Sequence, residues 1–236
     1  VKRGFYYAII PSLIILAAVV TMVARHAVSF NNAHEEKVVA LGDSLTYGYG
    51  DKSGHGYVAN LQSLFNKHYH GKVTVRNFGI PGQQSDGLLQ QLNKPSVTKE
   101  LDDADYIIVF IGTNDLIKSN GGDLAPLNLK EIKMGEADYV KNLKRILKIL
   151  REENRQAPIL FLGLYNPYPA SDSIESVVQK WNDKSKKLVN QYPRVTFIAT
   201  NGLFKEKSQK YFSDSLHPNK RGYDLITKRI LEEYNF

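Results

Sequence analysis

Five short apolar runs, separated by stretches of helical periodicity, limit what this chain can fold into more than any other feature of its sequence. Lys37–Leu41, Val73–Asn77, Tyr106–Ile111, Ile159–Gly163 and Val195–Ile198 are mostly rich in Val, Ile and Phe. Most show no clean polar/apolar alternation, which is the pattern of strands buried on both faces. Between them, Val140, Leu143, Leu147 and Leu150 line one face of Met134–Arg151. Ile174, Val177, Trp181, Leu188 and Tyr192 do so less regularly over Ser173–Tyr192. Tyr223, Ile226, Ile230 and Tyr234 mark a closing helix after Pro218-Asn219. Strand–helix alternation of this kind predicts a parallel sheet with helices on both sides, a three-layer α/β/α domain. Two connections, Leu116–Lys133 and Leu164–Asp172, are too long for plain turns, and long loops are commonly functional.

The first residues follow a different rule. After Lys2-Arg3, the stretch Gly4 to Ala24 carries no charge over 21 residues. As a helix it would span about 31 Å, close to the hydrocarbon thickness of a bilayer. Residues 1–27 therefore read as an N-terminal apolar helix, either an uncleaved membrane anchor or a cleaved signal peptide. The run is longer than a usual signal-peptide core, and Met22 or Arg25 occupies the −3 position of the plausible cuts. Lys2 and Arg3 precede the span while Glu35 and Glu36 follow it, which places the remainder outside the cytoplasmic membrane. Residues 28–36 read as a tether and 37–236 as one domain of about 200 residues. The expected location is single-pass at the cell membrane with the domain on the extracytoplasmic side, or secreted if the leader is cut.

Absence of cysteine in the 236 residues excludes disulfides, thiolate metal sites and a cysteine nucleophile. The net charge of +7 is spread along the chain without a dense basic block. It fits a solvated surface, or a face attracted to anionic lipid or wall polymer. No nucleic-acid-binding motif accompanies it, so a nucleic-acid partner is not expected.

Position relative to the strands makes four short motifs meaningful. In a parallel sheet all strands end at one edge, and ligands bind there near the switch in strand order. Gly42-Asp43-Ser44 follows the first strand and Asn77-x-Gly79-x-x-Gly82 spans the end of the second. Gly112-Thr113-Asn114-Asp115 follows the third, and Asp214-x-x-His217-Pro218 follows the fifth. Alone, Ser44 would be a helix cap, Asn114-Asp115 a turn, Gly79-x-x-Gly82 a tight turn and Asp214-x-x-His217 a loop. Together at one edge they supply what acyl transfer through a serine requires. Ser44 is the candidate nucleophile, His217 the base and then the acid, and Asp214 the group that holds the imidazole tautomer. The Ser44 and Gly82 N–H groups and the Asn114 amide are the candidate oxyanion donors.

At these residues the sequence resembles the SGNH hydrolases, also called GDSL-type esterases and lipases, from Val38 to about Lys220. The resemblance implies a flavodoxin-like sheet of five parallel strands in order 2-1-3-4-5. It also implies the same roles for Ser44, Gly82, Asn114, Asp214 and His217, with no cofactor and no metal. The family covers esterases, lipases, thioesterases and carbohydrate deacetylases, so it fixes the reaction type better than the substrate. A small acyl ester, a lipid or an acylated glycan are all in scope.

Other patterns weigh less. No G-x-S-x-G elbow occurs. Gly48-Tyr49-Gly50 with Gly54 and Gly56 is a Gly-rich loop that spells neither G-x-G-x-x-G nor a P-loop. His68-Tyr69-His70 lacks a nearby third metal ligand and reads as a helix end. Tyr165 and Asn166 follow the fourth strand at the active edge, as a substrate wall or as a plain loop. Leu124, Leu127, Leu129 and Ile132 form either an apolar wall for a lipid-like substrate or a loop folded on its own core. The expected function is a serine ester hydrolase. The alternatives are a non-catalytic wall- or lipid-binding module on the same fold, and an acyltransferase.

Overall fold

A computed structural model describes residues 35–68, 73–168, 171–204 and 209–236. The predicted leader and nearly all of the tether lie outside the described residues, as do Tyr69 and His70. Among the described residues no helix is long and apolar enough to cross a membrane.

The strands are β1 (Glu36–Gly42), β2 (Val73–Gly79), β3 (Tyr106–Phe110), β4 (Ile159–Leu162) and β5 (Val195–Ile198). They form one five-stranded sheet in the order β2-β1-β3-β4-β5, every neighbouring pair parallel. Ala40 of β1 is in register with Asn77 on one side and Ile108 on the other. The helices are α1 (Ser44–Tyr47), α2 (Gly56–His68), α3 (Ser85–Leu92), α4 (Pro95–Asp102), α5 (Thr113–Ser119), α6 (Leu129–Glu153), α7 (Asp172–Val189) and α8 (Lys220–Glu233).

Successive strand residues point to opposite faces, and both faces are covered. Val39, Leu41, Ile107, Val109, Ile159 and Phe161 pack with residues of α3, α4, α6 and α7. Val38, Ala40, Ile108, Phe110, Leu160 and Leu162 pack with α2 and α8. Two buried faces explain why the runs carry no polar alternation. Side-chain caps start the long helices: Asn128 Oδ1 accepts from Glu131 N at 3.3 Å, Ser171 Oγ from Ile174 N at 3.4 Å, and Asn219 Oδ1 from Arg221 N at 3.0 Å.

The first long connection needs correction. Leu116–Lys133 is not an irregular loop, because α5 continues to Ser119 and α6 already begins at Leu129. Lys130, Glu131 and Lys133 interrupt the apolar spacing there, which hides the first turns of α6. Leu124 and Ile132 are buried and Leu127 packs on the same cluster, while Leu129 is 63% exposed. Three of the four apolar residues of this stretch thus fold onto the core of their own domain.

Candidate active site

The strand β1 delivers the chain to its C-terminal edge, and Asp43 turns it into α1. Asp43 is buried and its Oδ1 accepts from Leu45 N at 2.9 Å, capping the short helix whose first residue is Ser44. Asn77 straps that turn to β2: its Nδ2 donates to Thr46 O at 2.8 Å while its Oδ1 accepts from Gly79 N at 2.9 Å. Gly79 lies directly under α1, since a Cβ there would stand 2.7 Å from Thr46 C and 2.8 Å from Tyr47 Cα. The nucleophile turn therefore rests on the second strand at backbone contact. Ser44 is 6% exposed.

His217 arrives from 173 residues downstream, and its Nε2 lies 2.9 Å from Ser44 Oγ. Its Nδ1 lies 2.8 Å from Asp214 Oδ2. The carboxylate accepts from Nδ1–H, so Nε2 is left as the acceptor for the serine hydroxyl. Asp214 Oδ1 also accepts from His217 N at 2.7 Å and Leu216 N at 2.8 Å. Partial burial would raise this carboxyl, but those N–H groups and the imidazole outweigh it and hold it below its ordinary value. Asp214 thus stays ionised to lower pH than a free carboxyl, as an imidazole-orienting group should.

The candidate oxyanion donors lie in two states. Neither Ser44 N–H nor Gly82 N–H has an acceptor among the described residues. The loop that carries Gly82 is pinned beside the serine, with Ile80 N donating to Gly42 O at 3.0 Å and Gln83 Nε2 to the same oxygen at 3.1 Å. The Asn114 amide is engaged: Nδ2 donates to Asp43 Oδ2 at 3.2 Å and to Gln83 O at 3.0 Å. For Asn114 to serve an oxyanion, one of these bonds must give way. Burial, with the charge of Asp115 adding to it, pushes the Asp43 carboxyl up to about 7. Asp115 in turn anchors α3 by accepting from Ser85 N at 3.0 Å and from Ser85 Oγ.

Tyr165 and Asn166 have partners within the protein. Tyr165 is buried against Phe204 and Phe212, and its hydroxyl donates to Leu216 O at 2.6 Å. Asn166 is buried, donating to Glu175 Oε2 at 3.0 Å and accepting from Tyr168 N at 2.7 Å. Tyr165 thus braces the loop that carries His217, while Asn166 ties its own loop to α7. Among the described residues no group of three His, Asp or Glu is placed to hold a metal ion. Sequence reasoning gave no task to Asp43, Asn77, Gly79 or Gln83, which fix the turn and the donors. Their adjacency to Ser44 and Gly82 in the motifs was the available signal.

A hydroxyl on an imidazole, the imidazole on a carboxylate and two free N–H groups beside the hydroxyl can form an acyl-enzyme and stabilise its oxyanion. Comparison with known proteins agrees. The uncharacterized protein YpmR of Bacillus subtilis (strain 168) is 32% identical over 240 residues, which cover 96% of this chain and 94% of that protein. The spore germination lipase LipC of Bacillus licheniformis is 27% identical over 204 residues, covering 81% of this chain and 92% of LipC. The crystal structure of the lipase Lip_vut3 from a goat rumen metagenome matches with a TM-score of 0.75 at 25% identity, covering 84% of this chain and 97% of that one. Residues 40–225 match the GDSL-like Lipase/Acylhydrolase family, and the chain belongs to it as a carboxylic ester hydrolase.

Proposed function

We propose that the protein hydrolyses acyl esters outside the cytoplasmic membrane through an acyl-enzyme on Ser44. The observation that carries this reading is the continuous chain from Ser44 Oγ to His217 Nε2 at 2.9 Å and from His217 Nδ1 to Asp214 Oδ2 at 2.8 Å. Ser44 Oγ attacks the ester carbonyl carbon as its proton passes to His217 Nε2. The carbonyl oxygen becomes an oxyanion, received by the N–H groups of Ser44 and Gly82 and by the Asn114 amide once it turns from Gln83 O. Asp214 holds the imidazolium, which then gives its proton to the departing alcohol oxygen. A water deprotonated by His217 attacks the acyl-enzyme, and the carboxylic acid leaves with Ser44 restored. No step calls for a cofactor. Tyr165 supports the His217 loop in this scheme through Leu216 O. The lipases among the relatives support an acyl ester of lipid type, and the uncharged stretch Gly4 to Ala24 behind Lys2-Arg3 supports the external location.

One experiment tests nucleophile and location together. A charged, membrane-impermeant fluorophosphonate is expected to label the full-length protein on intact cells, and Ser44→Ala is expected to remove the label. Labelling only after lysis would overturn the location. Equal labelling of Ser44→Ala would overturn the nucleophile.

A further inference from the structure

We propose that Tyr49 is a positioning residue for His217, pressed onto the imidazole by the glycines on either side of it. The proposal rests on the Ser44–His217–Asp214 reading above. The ring centroids of Tyr49 and His217 are 4.5 Å apart, with their planes at 54°. The Tyr49 backbone is fixed at both ends: its N–H donates to Ser44 O at 2.9 Å, and its carbonyl accepts from Tyr223 Oη of α8 at 2.7 Å. The backbone of one residue therefore ties the nucleophile turn to the helix that follows the His217 loop.

Gly50 brings the two loops into backbone contact. At φ +93° a side chain would be strained, and a Cβ there would stand 2.6 Å from Pro218 O and 2.9 Å from His217 Cβ. Gly48, in the left-handed conformation, ends α1 and sends the chain toward His217. The Gly-Tyr-Gly run, which spells no nucleotide motif, thus has a task in this fold.

A half-exposed loop tyrosine is ordinarily a bystander, but three features set this one apart. Tyr49 is 50% exposed, so core burial does not account for it. Its hydroxyl has no hydrogen-bond partner among the described residues. The ring contact it does make is with the imidazole. An aromatic ring there blocks rotation of His217 away from Ser44.

A leaving-group comparison separates positioning from general support. His217 must protonate ethoxide as it leaves, whereas p-nitrophenolate departs without a proton. With the acyl group held constant as butyrate, kcat/KM reports acylation for both esters. Tyr49→Ala is expected to lose about tenfold on p-nitrophenyl butyrate and about a hundredfold on ethyl butyrate. Tyr49→Phe is expected to stay within about twofold of the native chain on both, since the ring and not the hydroxyl acts. Tyr49→Leu, which keeps apolar bulk, replaces the alanine variant if near-UV circular dichroism shows the latter unfolded. Equal losses on the two esters, or failure of Tyr49→Phe to restore activity, would overturn the proposal while fluorophosphonate labelling of Ser44 persists. Absence of that labelling in the native chain would instead strike the serine hydrolase reading itself.

Discussion

Asp43 stands one residue before the nucleophile and does two things at once. It caps α1, holds the Asn114 amide, and does both from a site that is 1% exposed. Burial raises its carboxyl from an ordinary 3.8 to about 7, with Asp115 nearby adding to the rise and the Leu45 N–H opposing it. A folded-state value above the unfolded one means that the native protein binds the proton more tightly. Stability from this group is therefore full below about pH 4 and is lost as pH rises toward and through 7. As pH rises from about 4 to about 7, Asp43→Asn, which cannot ionise, should gain stability relative to the native chain, from a starting point lowered by loss of the acceptor for the Asn114 amide. The gain is at most about 1.4 kcal/mol per pH unit. Urea titrations at several pH values read the difference, and parallel slopes for the two proteins would refute it. Asp214 does not blur this window, because its carboxyl is shifted down. The meeting of Ser44, Asp214 and His217 could be expected from the sequence, because Ser44 lies in a short motif just past β1 and the other two in a short motif between β5 and α8. The engagement of Asn114 was not, since it depends on where the carbonyl of Gln83 points.

Among the elements, the end of β2 decides how the nucleophile turn sits. Asn77 and Gly79 belong to the same short motif as Gly82 yet do different work. Asn77 bonds to the carbonyl of Thr46, Gly79 lets α1 lie on the strand, and Gly82 offers a free N–H. A methyl group on Gly79 would meet backbone atoms of Thr46 and Tyr47, which have no side-chain rotamer to escape into. Gly79→Ala should therefore destabilise the fold by about 1–3 kcal/mol, as overpacking does, and displace Ser44 from His217. Thermal unfolding reads the first effect and ester turnover the second, and an unchanged melting temperature with full activity would refute the close approach. The strands were readable to within two residues at each end, because a run buried on both faces has a plain composition. The start of α6 was not, since an exposed first turn carries charge where the apolar spacing would have continued. Its cap, Asn128, is a weak signal without the structure to show which of several polar residues turns the chain.

At the scale of the molecule, the parallel sheet joins segments separated by up to 173 residues, and it does so unevenly. Ser44 follows β1 by two residues, and Val38 to Leu41 of that strand are fully buried between two helical layers. His217 sits on a peripheral loop between β5 and α8. That loop is held by the Tyr165 hydroxyl, the Phe212–Pro218 bridge and the contact with Gly50. Within that loop residues 213–217 are exposed or half-buried, and the hydrogen bonds that Asp214 accepts there are exposed, which marks a segment that opens before the core does. Trp181, the single tryptophan, is 1% exposed and stacked on Tyr139 at 5.0 Å in the cluster on the α6–α7 side of the sheet. Its fluorescence therefore reports the core and not the His217 loop. In increasing urea, ester hydrolysis should disappear at a lower concentration than the Trp181 emission shifts, because the acid–base loop detaches while the sheet is intact. Assays and spectra on the same samples give the two midpoints. Coincident midpoints would mean that the segment carrying His217 is bound as tightly as the core.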